Sequence, residues 1–375
     1  MAFQLFGSPA TLRIAVLAHL HHPIRAPFAG GMEAHTAHLV AGLASRGHSV
    51  RLFAKEGSDE FDVMANAELE PMLPESYVVR GYPDDDLTNM QHQILDGAMQ
   101  SAIDRIHAGN FDVVINNSLS PVPHEQLQDI PTFHILHTPP LPRIVRVLEQ
   151  QGNPHTRHLF ATVSSSNARA WKTWIPQLHI IENGIDIASW SSARETSYRS
   201  GLASWSGRIT PEKGPHIAIT AARAAGMQLV MAGPIQDQEY FDKLIAPGLD
   251  EQIQYRGHLT HTELSKMISM SEVFLSTPLW EEPFGLTTLE AMACGTPVAA
   301  LPSGAMAGLI GPTGGAVAER CDTASLVEAI ERARTLDRDA VFQRAAGFSH
   351  DRMLDSYEQA LVEIALKTSA ENRRR

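Results

Sequence analysis

The sequence predicts an α/β fold of two doubly wound domains facing a central cleft. Three observations carry this. Short apolar runs of strand length alternate with segments of helical period along the chain. The alternation breaks near 175–200 and then resumes, so the second half repeats the architecture of the first. A length of 375 residues accommodates two domains of roughly 150 residues, with no need of a disulfide or metal staple.

The first half opens with LRIAVLA (12–18), a strand-length apolar run. A loop, 19–31, leads into a helix with Met32, Thr36, Leu39, Val40 and Leu43 on one face and Gly47 as its stop. HSVRLFA (48–54) completes a βαβ unit, so the sheet is parallel. Residues 55–91 break the pattern; between Lys55 and Asp86 ten acids face two bases, which reads as a solvated excursion. Asp84–Asp86 form a DxD-like run, but three aspartates after Pro83 read as an exposed turn rather than a metal site. The alternation returns with a helix near 91–107 and strands in 111–117, 132–138, 159–165 and 178–184.

The second half places strands in 202–207, 227–233, 252–257, 272–277 and 297–301. Helices are expected at about 213–225, 236–246, 261–270 and 286–294, with a terminal helix at 350–368. The domains are therefore expected at 1–180 and 185–345. Ligands of such sheets sit outside the carboxyl ends of the strands, which puts the site in the cleft between domains.

Composition narrows the function. With 43% apolar and 19% charged residues the chain is globular rather than disordered. A net charge of −12 argues against broad nucleic-acid binding, so an anionic ligand needs a few local cations and backbone amides. Two cysteines cannot form a disulfide framework, and no signal-peptide pattern or run of ~20 apolar residues is visible. The expectation is a cytoplasmic protein without an integral span, in peripheral contact with a membrane at most; its oligomeric state is left open. Histidine is frequent, at 18, and clusters at positions 19, 21, 22, 35 and 38. No HExxH or paired CxxC spacing accompanies the cluster, so no metal site is expected.

Four sets of residues carry chemistry. Gly30-Gly31 precede a helix, where glycines let backbone amides approach an anion or simply make a turn. In GRITPEKG (207–214), Arg208 ends a strand and Lys213 opens the next helix; a short turn aims both cations at one point, and a diphosphate relieves their repulsion. The bland reading is two solvated cations. In EPFGLTTLE (282–290), Gly285 leaves the Leu286 and Thr287 amides open to a phosphate at a helix N-terminus. Glu282 either complements that helix dipole or meets ligand, and Glu290, in an otherwise apolar turn, needs a hydroxyl partner. Eight helical steps from one acid to the other would rise about 12 Å, the scale of a nucleotide sugar. In HILHT (134–138) the two histidines point to opposite faces of a strand; His137 lies at the ligand end, and His134 reads as an interior residue.

Residues 202–301 resemble the donor half of the retaining GT-B glycosyltransferases of family 4 (glycosyl transferases group 1). GRITPEKG resembles the diphosphate loop of that family and EPFGLTTLE its E-x7-E signature; GG-x-E (30–33), HT (137–138) and ENGID (182–186) resemble its first-domain loop, its catalytic-region histidine and its crossover. The resemblance implies two Rossmann-like domains, the first completed by a C-terminal helix in 350–375. It implies that Arg208 and Lys213 bind the donor diphosphate, Glu282 the sugar hydroxyls and Glu290 the ribose, with His137 beside the transferred sugar. Base contacts would come from backbone near Gly257, His258 and Leu259, and Phe284, Gly285, Leu286 and Thr287 complete the donor site. Neither 55–91 nor the HHP sequence at 21–23 matches a family motif, which leaves the acceptor unnamed.

The expected reaction moves a sugar from a nucleotide diphosphate sugar to a hydroxyl acceptor. The cations and the helix end replace a metal ion, so no cofactor is expected. Retention follows from the resemblance, and no second carboxylate is placed as a nucleophile. A sugar-nucleotide epimerase would share the diphosphate grip but needs acid/base groups around the ring. A non-enzymatic sugar-binding protein would have no use for the Arg/Lys pair. A nicotinamide dehydrogenase lacks its GxGxxG after the first strand.

Overall fold

The computed structural model describes residues 11–58, 66–79, 87–151, 157–194 and 198–372. Asp84–Asp86 and Arg373–Arg375 lie outside the described residues. Two parallel sheets form. The first contains β1 (Arg13–Ala18), β2 (Ser49–Ala54), β3 (Ala67–Pro71), β4 (Val113–Asn117), β5 (Thr132–Leu136), β6 (His158–Thr162) and β7 (His179–Ile180), in the order β3-β2-β1-β4-β5-β6-β7. The second contains β8 (Arg199–Ser206), β9 (Gln228–Ala232), β10 (Ile253–Tyr255), β11 (Ser271–Ser276), β12 (Val298–Ala300) and β13 (Gly315–Val317), in the order β10-β9-β8-β11-β12-β13.

The unbroken apolar runs follow from burial of the strands on both faces. In β1, Ile14, Val16 and Ala18 enter a core with Leu39 and Leu43 of the first helix (Gly31–Ser45) and Leu354, Tyr357 and Leu361 of the terminal helix (His350–Asn372). Ala15 and Leu17 turn the other way, onto Met99, Ile103 and Ile106 of the helix Asn89–Ala108. In the second sheet Trp205, Met231 and Leu275 face one layer, and Phe274, Val298 and Ala300 face Leu289 and Met292 of the helix Leu286–Ala293.

The terminal helix therefore packs in the core of the first sheet although it follows the second in sequence. The chain crosses twice, and the crossings run side by side: Ile185 N donates to Phe348 O at 3.0 Å, and His350 N donates to Ile185 O at 3.0 Å. Arg46 anchors the helix with Glu358 at 2.8 Å and Asp355 at 2.7 Å.

Several elements differ from expectation. The acid-rich excursion contains β3, an edge strand on β2; its Glu68 and Glu70 pair with Arg51 at 2.9 Å and Arg105 at 2.5 Å. Only His179–Ile180 of 178–184 joins the sheet. The segment 236–246 is one α turn, a π turn and a 3₁₀ turn in series rather than a regular helix. Between 302 and 346 lie β13 and three unanticipated helices, Met306–Gly314, Thr323–Ala333 and Arg338–Ala346. Among the described residues no helix is long and apolar enough to cross a membrane.

Candidate functional site

Strand order reverses where β1 separates β2 from β4, and where β8 separates β9 from β11. Ligand crevices form at such points. The loops after β1 and β5 meet those after β8 and β11 around a cleft of about 430 Å³.

Arg208 follows β8 by two residues. Its guanidinium donates to Gln236 Oε1 at 2.8 Å and lies 3.5 Å from Glu212. Lys213 does not open an α-helix: it ends a 3₁₀ turn, Pro211–Lys213, and the helix begins at Pro215 after left-handed Gly214. Its amine donates to Glu282 Oε2 at 2.6 Å and lies 4.9 Å from the Trp280 ring centroid. The two cations therefore do not simply repel each other, because each has its own partner.

Glu282 is held from several sides. Trp280 Nε1 donates to the same Oε2 at 2.8 Å, and Ala305 N donates to the Glu282 carbonyl at 2.8 Å. Three residues on, Gly285 caps the signature helix with φ 94°, where a Cβ would collide with Met306. No side chain caps this helix and no acid stands in its first turn, so Leu286 and Thr287 line the cleft with amides aimed at it. Only Leu286–Ala293 is helical, so the span from Glu282 to Glu290 is loop and then helix, not a continuous helical rise. Glu290 lines the cleft half-buried, and desolvation pushes its carboxyl up to about 7. Phe284 is buried against Phe348.

The first helix differs at its N-terminus. Gly30 is its N-cap, but Glu33 in its first turn folds back to accept its own backbone N–H. That carboxylate is 4% exposed and lies 3.5 Å from His19 Nε2, and burial raises its pKa. This helix end thus carries its own carboxyl group. Gly31 serves a different contact: a Cβ there would stand 3.0 Å from Leu286 Cδ1, across the cleft. His258 makes a second bridge, to the Phe28 backbone. His258 and Leu259 line the cleft, whereas Gly257 lies behind them and accepts from Gly233 N–H at 2.8 Å.

His137 follows β5 directly and lines the cleft. It is 8% exposed, its Nε2 has no hydrogen-bond partner, and burial pushes it down to about 3, so the ring is neutral. The His35 ring packs against it at 4.5 Å and is fixed by Tyr357 Oη, 3.1 Å from His35 Nε2. His134 lies inside the sheet, its ring near-parallel to those of His124 at 4.3 Å and Phe160 at 4.5 Å. Among the described residues no group of three or more His, Cys, Asp or Glu comes together to hold a metal ion. Sequence reasoning did not single out Trp280 or the Glu33–His19 contact, and it quoted Asn183 only within ENGID, with no role in the cleft that these residues line; GG-x-E was the one local signal for Glu33.

Two doubly wound parallel sheets, crossed twice by the chain and sharing one cleft, define the GT-B glycosyltransferase fold. HepE of Anabaena, in complex with UDP and glucose, superposes with a TM-score of 0.70 at 17% identity, over 94% of this chain and 100% of that one. Residues 200–345 match the family model for glycosyl transferases group 1, and residues 29–189 match that for glycosyltransferase family 4. The chain belongs to this glycosyltransferase family. The glycogen synthase of Mycobacterium tuberculosis is 32% identical over 201 residues, 51% of this chain and 47% of that protein. The chain thus spans about half the length of that relative. The D-inositol 3-phosphate glycosyltransferase of Pseudarthrobacter chlorophenolicus is 25% identical over 339 residues, 78% of this chain and 80% of that protein.

Proposed function

We propose that the protein transfers a sugar, with retention of anomeric configuration, from a nucleoside diphosphate sugar to a hydroxyl acceptor. The observation that carries this reading is the convergence of Arg208, Lys213 and the uncapped helix end at Leu286–Thr287 on one wall of the cleft. Breaking the bond from the anomeric carbon to the diphosphate oxygen leaves an oxocarbenium-like sugar and a growing negative charge. Cations and helix amides lining that wall lower the barrier by meeting that charge, Lys213 exchanging Glu282 for the diphosphate. The complex of HepE with UDP and glucose supports a nucleoside diphosphate sugar as donor.

Glu282 lies beside the diphosphate grip and accepts from hydroxyls of the transferred sugar. Glu290, one turn into the helix, accepts from the ribose. Neutral His137 meets a sugar or acceptor hydroxyl. The carboxyl groups nearest the reacting centre are engaged elsewhere: Glu282 by Lys213 and Trp280, Glu33 by its own helix N-terminus. A same-face route suits this arrangement, with the leaving diphosphate oxygen receiving the proton of the attacking hydroxyl. The test is NMR of the sugar released when water serves as the slow acceptor. The first anomer to appear keeps the configuration of the donor; an inverted anomer rules out retention, and no cleavage of any UDP-, GDP- or ADP-sugar rules out the reading.

A further inference from the structure

The two walls of the cleft are charged unequally. Arg208 and Lys213 stand on the second-domain wall, and among the described residues no lysine or arginine lines the first-domain wall. The titratable groups there are six histidines, at 19, 21, 22, 35, 38 and 137, with Glu33; Asp186 caps the helix Ile187–Ser191, whose Trp190 packs in the second-domain core. The nearest first-domain cations do not line the cleft. Lys55 is 3% exposed, and its amine donates to the carbonyls of Tyr77 at 2.6 Å and His21 at 3.4 Å. Arg25 pairs with Glu75 at 2.5 Å.

The same wall holds polar atoms that lack partners. His137 Nε2 and Asn183 Oδ1 belong to residues 8% and 5% exposed, both line the cleft, and neither makes a hydrogen bond within the protein. A buried polar atom left unpaired is costly, so these two await hydrogen-bonding groups from a ligand. With the leaving diphosphate on the second-domain wall, the acceptor approaches the sugar from the first-domain side.

We infer that this wall receives an uncharged, hydroxyl-rich acceptor group, a saccharide or cyclic polyol, and that no acceptor phosphate docks on it. The inference rests on the proposed transferase reading and specifies its second substrate. A hydroxyl both donates and accepts, so it satisfies an amide oxygen and a neutral imidazole alike. A phosphate needs a lysine, an arginine or an open helix end. Here it would meet Glu33, which already occupies the N-terminus of the helix Gly31–Ser45. Burial holds His19, His21 and His137 at about 3 and His35 well below its ordinary value, so these four do not substitute as cations.

The test uses the full chain in two stages. Calorimetry with UDP, GDP and ADP first selects the nucleoside diphosphate that binds; if none binds, the transferase reading itself fails. The matching sugar nucleotides are then offered with paired acceptors: glucose and glucose 6-phosphate, fructose and fructose 6-phosphate, myo-inositol and its 1-phosphate, with maltotriose as a longer neutral probe. Nucleoside diphosphate release above hydrolysis reads transfer, and saturation-transfer NMR on the diphosphate-saturated protein reads binding. The expected result is at least one neutral compound bound or used tenfold better than its phosphorylated partner, or maltotriose bound. A phosphorylated member equal to or better than its neutral partner overturns the inference. So does the failure of every neutral probe while the nucleoside diphosphate binds.

Discussion

Lys213 Nζ and Glu282 Oε2 lie 2.6 Å apart, and the Trp280 indole N–H shares the same carboxylate oxygen at 2.8 Å. A diphosphate arriving at Lys213 must therefore compete with Glu282, while Trp280 keeps Glu282 oriented after Lys213 turns away. On the proposed reading, the ion pair holds the two halves of the donor site, diphosphate grip and sugar grip, in register.

This pairing separates the roles of the two signature acids. Glu282→Gln removes the competitor for Lys213, so nucleoside diphosphate affinity should hold or rise by about two- to fivefold, the worth of an accessible ion pair. Turnover should fall, because sugar contacts change as the glycosidic bond breaks. Glu290→Gln should weaken the nucleoside diphosphate itself. With its carboxyl near 7, Glu290 gains its charge as pH rises, so wild-type affinity should increase from pH 6 to pH 8 and the variant should lose that slope. Calorimetry at the two pH values checks both. Glu282→Gln losing diphosphate binding while Glu290→Gln keeps it would show that the roles are exchanged.

Gly31 and Leu286 meet across the cleft. Gly31→Val should wedge the walls apart and cut kcat/KM on the order of ten- to a hundredfold through misplacement of the reacting groups. Thermal stability should barely change, and Leu286→Ala should restore part of the activity. Full activity in the single variant would mean that this contact does not set the working geometry.

Buried neutral histidines give the fold an acid-sensitive stability. Burial holds His19, His21, His124 and His137 at about 3, and His35 and His134 well below their ordinary value. The unfolded chain binds these protons near pH 6.5 and the folded chain does not. Their contribution is complete above about 6.5 and is lost as pH falls toward 3. Raised Glu33 and Glu290 act oppositely, but they are two against six. Denaturation scans should show Tm falling steadily from pH 6.5 to pH 4.5. A flat or rising Tm over that range would show the histidines to be protonated in the fold.

On the proposed reading Arg208, Lys213 and the helix end meet the charge of the leaving group, so activity should survive EDTA. Loss of activity that magnesium or manganese restores would return attention to Asp84–Asp86.

What the sequence revealed, and what it hid, has a physical pattern. Strands buried on both faces read as apolar runs, so β1, β4, β8 and β11 were legible, and with them the loops that build the site. Edge strand β3 was not, because AELEP alternates acids with short apolar residues and pairs on one side only. Glycines and prolines through 302–315 masked the helix Met306–Gly314, whereas Thr323–Ala333 and Arg338–Ala346 contain neither and were legible but not read. Arg208, Lys213 and Glu282 were legible as motifs, but their partners were not. Trp280 stands outside the signature, and Glu33 meets His19 across a loop with no shared periodicity. Pairings made in space leave no local spacing to read.

The account rests most directly on the diphosphate grip, and calorimetric titration of the nucleoside diphosphate into the wild type and the Arg208→Ala/Lys213→Ala double variant tests it. Each single substitution should cut turnover on the order of 10²–10³-fold, the range for losing one transition-state charge donor. In the titration itself, the wild type should bind one equivalent, with affinity that declines as salt rises. The double variant, folded with an unchanged near-UV spectrum, should show no measurable binding at the same concentrations. Wild-type affinity in the double variant would contradict the assignment of the cleft as a nucleoside diphosphate sugar site.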